Sequence, residues 1–402
     1  MQKNKGPLTG VKVIELCHVM AGPVCGLMLA DMGAEVIKVE KIPGGDDTRR
    51  TVPPEIKGEP ASFMMLNRNK RGIAVNLKME DGKKILRRLL EDADVVTENY
   101  RRGVMERMGF GYDTLKETNP RLIYCAISGF GRTGPYADRG GFDLIAQGMS
   151  GLMSITGEGP GRPPVKVGAP ITDITAGILA AMGILAALHA RTKTGKGQLV
   201  DTSLFEAGIV HTFWQSAIAL ASGVAPGPMG SAHPLNAPYE AFATKDGWIN
   251  LGAANQTTWL RTIELLQRPD LGEDPRFKEA PGRLVNRAAL AEALAPEFRK
   301  RTSAEWLETL EQAKVPAGPV FDVLQMHADP QTLAREMVVD VNHSKVGPMK
   351  TLGAPVKFSA TPGGVHRSAP IFGEHTEEVL REYGFSHAEI DRMASSGAIC
   401  RS

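Results

Sequence analysis

The sequence predicts an α/β protein, with a large domain built on an open, Rossmann-like parallel sheet and a smaller α+β domain. Apolar runs typical of buried strands alternate with helical segments between residues 11 and 127, which is the pattern of a parallel sheet. A Gly/Pro-rich stretch at 223–230 marks a change in composition and predicts a linker. The chain has 402 residues, enough for two domains with cores of their own.

The first predicted elements form a strand–helix–strand unit, whose two strands should be parallel because a helix connects them. In chain order the elements are a strand at 11–16, a helix at 22–32, a strand at 35–40, a strand at 72–77, an amphipathic helix at 79–93, and strands at 94–97 and 122–127. Ligands of such sheets bind beyond the carboxyl ends of the strands.

The remaining elements continue the large domain and then form the small one. They are a long helix after Asp173, a strand at 198–202, a helix at 203–222, strands at 239–242 and 248–251, helices at 257–266, 286–299 and 303–313, short strands at 336–342 and 356–358, and a last helix at 374–383. The predicted division is a first part of the large domain at 1–222, a linker at 223–237 and a small α+β domain at 238–330.

The composition is that of an ordinary globular protein, with 42% hydrophobic and 23% charged residues. The net charge of +2 argues against a nucleic-acid binder that relies on bulk charge. Four cysteines without CxxC spacing predict neither a disulfide framework nor a zinc site, and fit a reducing cytoplasm. The nine histidines show no metal-binding spacing.

No segment predicts secretion or membrane insertion. Lys3 and Lys5 near the start are not followed by an apolar run, so no signal peptide is expected. The longest apolar run follows Asp173 and reaches only His189. We expect it to be too short and too weakly hydrophobic to span a bilayer.

Asp173 is the most informative residue of the chain. Pro170 prevents helix from extending backward, and the apolar segment 174–190 continues it forward, so Asp173 falls in the first turn of a long helix. This helix has no polar face, which predicts that it is buried all round. A carboxylate there is expected to be ionised and to act either as a helix cap or as a nucleophile. The small residues Gly168 and Ala169 leave room for a ligand, which favours covalent catalysis.

One motif is misleading. Gly129 to Gly134 match the GxGxxG pattern after a predicted strand, but Pro135 and further loop residues follow where a dinucleotide site needs a helix. We therefore predict a turn or a flexible substrate loop. A nicotinamide dehydrogenase remains an alternative of a different class.

Cationic and polar residues gather at the predicted binding edge of the sheet. They are Lys41, Asn69, Lys70, Arg71, Asn99, Tyr100, Arg101, Arg102 and Arg107. They are either solvated surface charges or, as a set, groups that bind phosphates, with Tyr100 as a stacking face. A nucleotide-containing polyanion such as coenzyme A would fit the second interpretation.

A segment of small residues, Gly252-Ala253-Ala254-Asn255-Gln256, follows a predicted strand of the small domain. It is either a β-to-α turn, with Asn255 or Gln256 near the cap of the next helix, or a mobile loop that closes over a reactive intermediate.

Several ordered motifs together resemble the family III CoA-transferases, also called the CaiB/BaiF type, and most of all those that act on succinyl-CoA and glutarate. The resemblance runs from Leu8 to about Ile399. The motifs are Leu8–Leu16, Ala21-Gly22-Pro23, Leu29–Glu40, Asn67–Arg71, Glu98-Asn99-Tyr100, Ser128–Pro135, Gly168–Asp173, Gly230–His233, Gly252–Gln256 and Val315–Val320.

The resemblance implies a fold and an assembly. Each chain would form two domains around a central hole, and two chains would interlock as a ring-shaped homodimer. The large domain would take in the C-terminal part of the chain, so that residues 331–402 return to it. A cytoplasmic location, without nucleic acid or a membrane as partner, is expected.

The resemblance also implies an activity. Coenzyme A would move from an acyl-CoA donor, succinyl-CoA, to a free carboxylic acid such as glutarate, through a thioester on Asp173 and without a prosthetic group. The coenzyme A contacts would fall on Val19, Lys41, Lys70, Asn99, Tyr100 and Arg107.

Three departures from formyl-CoA:oxalate transferase concern substrate and loop residues. Met20 replaces a glutamine, Ala253 and Ala254 of the Gly252 loop replace glycines, and Phe142-Asp143 replace a tyrosine–glutamate pair. The alternative within the superfamily is an α-methylacyl-CoA racemase, which needs a histidine at the Phe142-Asp143 position to transfer a proton. A catalytically silent CoA-binding protein also stays open.

The group that would hold a distal substrate carboxylate is not determined by the motifs. Arg49, Arg139 and His233 are candidates, because each can be cationic. Further substrate contacts from a partner chain are expected in the implied dimer.

Overall fold

The structure is a computed structural model that describes residues 6–402, and these form two compact units. The first unit comprises the chain up to Leu152, Val167–His211 and Pro330–Ser402, and the second comprises Met153–Lys166 and Thr212–Asp329. The predicted linker at 223–237 lies within the second unit, and the predicted boundaries differ from these in two further places. The change of unit falls at 211/212 rather than at 222, and residues 153–166 belong to the second unit.

Fourteen strands are present in the described residues: β1 Lys12–Glu15, β2 Glu35–Lys41, β3 Glu55–Ile56, β4 Glu59–Pro60, β5 Lys70–Val75, β6 Val95–Glu98, β7 Ile123–Ser128, β8 Leu199–Ser203, β9 Tyr239–Ala243, β10 Trp248–Gly252, β11 Ala317–Pro319, β12 Val338–His343, β13 Gly347–Leu352 and β14 Ile399–Cys400. Seven of them form one sheet of the first unit, and β9 to β11 form an antiparallel sheet of the second.

Eighteen α-helices are present in the same residues: α1 Ala21–Asp31, α2 Ala61–Leu66, α3 Glu80–Glu91, α4 Val104–Arg107, α5 Tyr112–Thr118, α6 Asp143–Met149, α7 Ile171–Thr194, α8 Leu204–Val210, α9 Phe213–Ser222, α10 Gln256–Leu265, α11 Pro269–Glu273, α12 Ala280–Val285, α13 Arg287–Phe298, α14 Ser303–Gln312, α15 Val323–Ala328, α16 Pro330–Ala334, α17 Thr376–Glu382 and α18 His387–Ser395.

The large sheet is parallel except at one edge. Its order is β14-β5-β2-β1-β6-β7-β8, and only β14 runs antiparallel to its neighbour. Helices cover both faces, which explains why its central strands carry buried apolar residues on both faces. The strand order reverses at β1, which has β2 as its neighbour on one side and β6 on the other. The carboxyl ends of β1 and β6 therefore flank the position where such folds bind ligands.

Helix α7 is longer than the sequence predicted. It runs for 24 residues, and by length and composition it could cross a membrane, so the expectation of a segment too short and too weakly hydrophobic to do so is wrong. Core helices of globular proteins share this pattern. One face packs on α1, where a Cβ at Gly177 would lie 2.5 Å from the carbonyl oxygen of Ala21. The opposite face exposes Ile178 and Met182, so the expectation of a helix buried all round is wrong.

Other elements also differ from those that the sequence predicts. The helix predicted at 203–222 is divided into α8 and α9 at His211 and Thr212, where neither Gly nor Pro marks a break. Residues 356–358 form no strand, and Val356 is exposed. Helix α18 was missed although Ser386 and Glu389 form a capping box, which is a sequence signal of a helix start.

Candidate active site

A cleft of about 370 Å³ opens at the carboxyl ends of β1, β6 and β7 in the first unit. Its walls come from the segment that leads into α1, the segment after β6, the loop after β7 and the start of α7. The lining residues are His18 to Ala21, Asn99 to Arg102, Val104, Ile127 to Gly129, Ala137, Arg139 to Phe142, Asp173 and Leu204. The cleft therefore lies where the strand order predicts a ligand site.

Asp173 lies half-buried in this cleft, in the first turn of α7. Burial raises the pKa of its carboxyl to about 7, and the nearby charge of Asp143 acts in the same direction. The expectation that the helix start keeps Asp173 fully ionised is therefore wrong, because desolvation and like-charge repulsion outweigh the helix N-terminus. The ionised form of such a carboxyl is a stronger nucleophile, because it is poorly solvated.

Asp143 fixes the start of the helix that carries Asp173. Its Oδ1 accepts hydrogen bonds from the backbone N–H of Thr172 at 2.9 Å and from the Thr172 hydroxyl at 2.7 Å. Its Oδ2 accepts from the side-chain amide of Gln147 at 2.7 Å, and Gln147 Oε1 accepts from the N–H of Val167 at 2.9 Å. Asp143, predicted as a substrate or loop residue, is therefore engaged on both oxygens, and it positions Asp173.

The opposite wall is held by Asn99. Its Oδ1 accepts from the N–H of His18 at 3.0 Å, and its Nδ2 donates to the His18 carbonyl at 2.8 Å. The next residue, Val19, has a left-handed backbone with φ of 68° and donates its N–H to Asp46 Oδ1 at 3.0 Å. The Tyr100 ring stands 5.8 Å from the His18 ring, and burial raises the pKa of Tyr100 to about 12.

The structure thus brings Val19, Asn99 and Tyr100 into the cleft, together with Met20 and Phe142, but not the other three predicted coenzyme A contacts. Lys41 is exposed and pairs with Asp47 at 2.7 Å. Arg107 is exposed on α4 and is not among the lining residues.

Lys70, the third of these, is fully buried and offers no surface to a ligand. Its Nζ lies 2.8 Å from Glu15 Oε2, and it donates to the Pro23 carbonyl at 2.8 Å and to Asn67 Oδ1 at 3.0 Å. Burial lowers the pKa of this lysine. Its predicted contact with coenzyme A conflicts with this position, because every donor direction is taken by the protein.

A buried charged cluster beneath the cleft was missed in the sequence. Lys38 Nζ lies 2.9 Å from Glu15 Oε1 and 2.8 Å from Asp46 Oδ2. Burial by itself would lower the pKa of Lys38, but the charges of Glu15 and Asp46 outweigh it and raise this pKa. Lys38 in turn holds the pKa of Asp46 well below its usual range. Because Asp46 also binds Val19, the cluster supports the cleft wall. The sequence did contain a signal of this cluster, because Lys38 lies within a buried parallel strand and a buried lysine needs a partner.

The loop after β7 is not a dinucleotide site. Residues 129–142 contain no helix, which confirms that Gly129 to Gly134 are a loop. Gly129 and Gly141 lie so close that a Cβ on Gly141 would come within 2.3 Å of the Gly129 Cα. Both ends of the loop are therefore fixed at the cleft, and only glycine fits at this crossing.

The Gly252 segment lies in the second unit, at the end of β10. Ala253 is buried, the N–H of Gly252 donates to the Pro316 carbonyl at 2.8 Å, and Asn255 caps α10 by accepting from the N–H of Thr258 at 2.9 Å. The interpretation as a β-to-α turn with a capping Asn255 is confirmed. Closure of Gly252, Ala253 and Ala254 over an intermediate stays a prediction.

Two of the three candidates for a distal carboxylate lie outside the cleft. Arg49 donates to both oxygens of Glu40, at 2.7 and 2.8 Å, and stacks on Phe63. His233 belongs to the second unit, where its Nδ1 accepts from the N–H of Leu235 at 3.0 Å. Arg139 alone of the three lines the cleft.

Comparison with known proteins identifies the family. The sequence model of CoA-transferase family III matches residues 8–376. The chain belongs to this family. It is 42% identical to an acyl-CoA transferase of Fusarium pseudograminearum, over 98% of this chain and 89% of the relative. It is 40% identical to a succinate–glutarate CoA-transferase of Agrobacterium fabrum, over 95% of this chain and 97% of the relative.

A solved structure agrees with the assignment. A CaiB/BaiF family protein from Brucella suis matches with a TM-score of 0.84 and 40% identity, over 94% of this chain and 99% of the other. The protein is therefore a CoA-transferase with the mixed α/β fold of this family. Among residues 6–402, no group of three His, Cys, Asp or Glu side chains could hold a metal ion.

Proposed function

We propose that the protein transfers coenzyme A from succinyl-CoA to a free dicarboxylic acid such as glutarate, through a thioester on Asp173. The observation that carries this proposal is the position of Asp173. It is a half-buried carboxylate in the first turn of a fixed helix, inside a cleft at the ligand-binding edge of the sheet. The name of the Agrobacterium relative supports the choice of the two acids.

The first half-reaction attaches coenzyme A to the protein. A carboxylate oxygen of Asp173 attacks the thioester carbonyl of the donor, the carbon–sulfur bond breaks, and a mixed anhydride and the thiolate of coenzyme A result. The thiolate then attacks the aspartyl carbonyl. This step forms the aspartyl-CoA thioester and releases the donor acid as a carboxylate.

The second half-reaction reverses these steps with the acceptor. The acceptor carboxylate attacks the aspartyl carbonyl and expels the thiolate, which gives a new mixed anhydride. The thiolate attacks the acyl carbonyl of the acceptor, and the products are the new acyl-CoA and free Asp173. No net proton is taken up, so the site needs a reactive carboxylate and the exclusion of water rather than a general acid.

A homodimer is part of the proposal. It is supported by the apolar residues of α9, which buries none of its side chains within the chain and exposes Phe213, Trp214 and Leu220. Exposed apolar surface of this kind is typical of an interface. Light scattering on the purified protein should give twice the mass of one 43.2 kDa chain.

The activity is tested by incubating purified protein with succinyl-CoA and, separately, glutarate, itaconate, mesaconate, oxalate, malate and carnitine. Mass spectrometry of the acyl-CoA products is expected to show glutaryl-CoA with an equal amount of succinate. Absence of any new acyl-CoA would contradict the proposal. Proton exchange at the α-carbon of a 2-methylacyl-CoA would then favour the racemase, although Phe142 cannot transfer a proton at the position where that reaction needs a histidine.

A further inference from the structure

The cleft wall carries more positively than negatively charged side chains. Arg101, Arg102 and Arg139 line the cleft, whereas Asp173 is the only carboxylate among its lining residues. A cleft of this kind attracts anions, and a guanidinium binds a carboxylate or phosphate with two parallel hydrogen bonds. The three arginines differ in how the protein already uses them.

Arg139 is the arginine with an orienting support and no counter-ion. Its guanidinium lies 4.1 Å from the centre of the Tyr136 ring, and its backbone N–H donates to the Tyr136 carbonyl at 2.9 Å. Within residues 6–402, no carboxylate lies within ion-pair distance of this guanidinium. Arg102, in contrast, stands 3.6 Å from Asp138, and Arg101, which also pairs with no carboxylate in the described residues, lies over no aromatic ring there.

The Tyr136 ring beneath Arg139 is connected to the rings of Phe130 and Phe205. The Tyr136 ring meets the Phe130 ring edge-on at 5.7 Å, and the Phe130 ring lies 5.9 Å from the ring of Phe205. A guanidinium stacked on an anchored ring loses less side-chain entropy when it binds a ligand.

The loop connects Arg139 to the reacting end of the cleft. Gly141, two residues on, crosses Gly129 at close range. Asp143, four residues on, bonds Thr172, which precedes Asp173. The backbone that carries Arg139 therefore leads within four residues to the contacts that position Asp173.

We propose that Arg139 binds the distal carboxylate of a dicarboxylic acyl group and so gives the enzyme its preference for dicarboxylic over monocarboxylic substrates. The inference rests on the proposed CoA transfer. The same guanidinium could instead meet a phosphate of coenzyme A, and the test separates the two, because only the carboxylate depends on the acyl group.

The test compares succinyl-CoA with butyryl-CoA, which has a methyl group in place of the distal carboxylate and is otherwise of equal length. In the unaltered enzyme, kcat/KM should favour succinyl-CoA. Arg139→Gln should lower the ratio of the two kcat/KM values by about 10- to 100-fold, the usual effect of losing a hydrogen bond to a charged group. Arg139→Lys should restore part of the ratio.

Arg87→Gln is the matched control, because Arg87 also lies over an aromatic ring, that of Phe110, and does not line the cleft. It should leave the ratio unchanged. An equal loss with both thioesters in Arg139→Gln would assign Arg139 to coenzyme A and overturn the inference, as would an unchanged ratio.

Binding of the same thioesters to Asp173→Asn, measured by calorimetry, provides a readout without turnover. If no transfer occurs in the unaltered enzyme, the proposed function fails, and the binding preference still tests Arg139. Loss of that preference in Asp173→Asn combined with Arg139→Gln supports the inference, and an unchanged preference contradicts it.

Discussion

At the scale of single residues, the ionisation of Asp173 controls the proposed chemistry. Its pKa of about 7 means that part of the free enzyme carries a protonated, unreactive carboxyl at neutral pH. We predict that kcat/KM rises as the pH increases through about 7 and is constant above pH 8. Initial rates between pH 5.5 and 9 measure this. A rate that falls over this range would contradict the assignment.

The variant Asp143→Asn identifies the group responsible. Removal of the neighbouring negative charge should lower the pKa of Asp173 and shift the rise in kcat/KM to lower pH. This control matters because burial also raises the pKa of Glu98 to about 7. An unshifted profile in Asp143→Asn would assign the rise to another group.

The sequence identified Asp173 at this scale but not its pKa. Pro170 and the apolar run behind it place the residue at a helix start, and that placement follows from local rules. Desolvation and the charge of Asp143 depend on residues 30 positions apart in the chain, so no local pattern reveals them. The burial of Lys70 was not predicted for the same reason, because its partner Glu15 lies on another strand.

At the scale of elements, the start of α7 depends on one buried hydroxyl. We predict that Thr172→Val lowers the free energy of unfolding by about 1 to 3 kcal/mol, because Asp143 loses a partner in a buried position. It should also reduce kcat, since Asp173 is the next residue. Chemical denaturation and steady-state kinetics measure the two effects.

Thr192→Val is the matched control on the same helix. Thr192 is exposed, and its hydroxyl donates only to the His189 carbonyl, at 2.7 Å. It should change stability by less than about 0.5 kcal/mol and leave kcat unchanged. Equal effects of the two variants would refute the role given to Thr172.

The elements were predictable where burial imposed a pattern. The central strands β1, β2, β6 and β7 carry buried apolar residues on both faces, and the sequence placed each within two residues of its observed bounds. The two-residue strand β14 and the break between α8 and α9 were missed, because both arise from tertiary contacts rather than from local composition.

At the scale of the whole molecule, the buried charges around Glu15 are expected to stabilise the fold without contacting coenzyme A. They are Lys38, Asp46 and Lys70. Lys70→Met should lower the free energy of unfolding by about 3 to 5 kcal/mol, because it breaks a buried ion pair with Glu15. If the variant folds, its KM for acyl-CoA should stay within about twofold of the original value. Denaturation and kinetics on one preparation test both statements.

A contrary result would be a stable variant with a much higher KM. It would return Lys70 to the coenzyme A contacts that the family resemblance implied, and would require the lysine to leave its partners when the ligand binds. The resemblance correctly implied the mixed α/β fold, and the catalytic role of Asp173 stays a prediction. It could not convey which cations face the cleft, because that depends on side-chain partners in this chain.

The central claim is that Asp173 carries coenzyme A covalently. The most direct measurement is to incubate the enzyme with succinyl-CoA without acceptor, digest it, and determine the mass of the peptide that contains Asp173. The account predicts a coenzyme A adduct on Asp173 that disappears when glutarate is added and is absent in Asp173→Asn. Catalysed transfer without such an adduct, or an adduct that persists in Asp173→Asn, would contradict it.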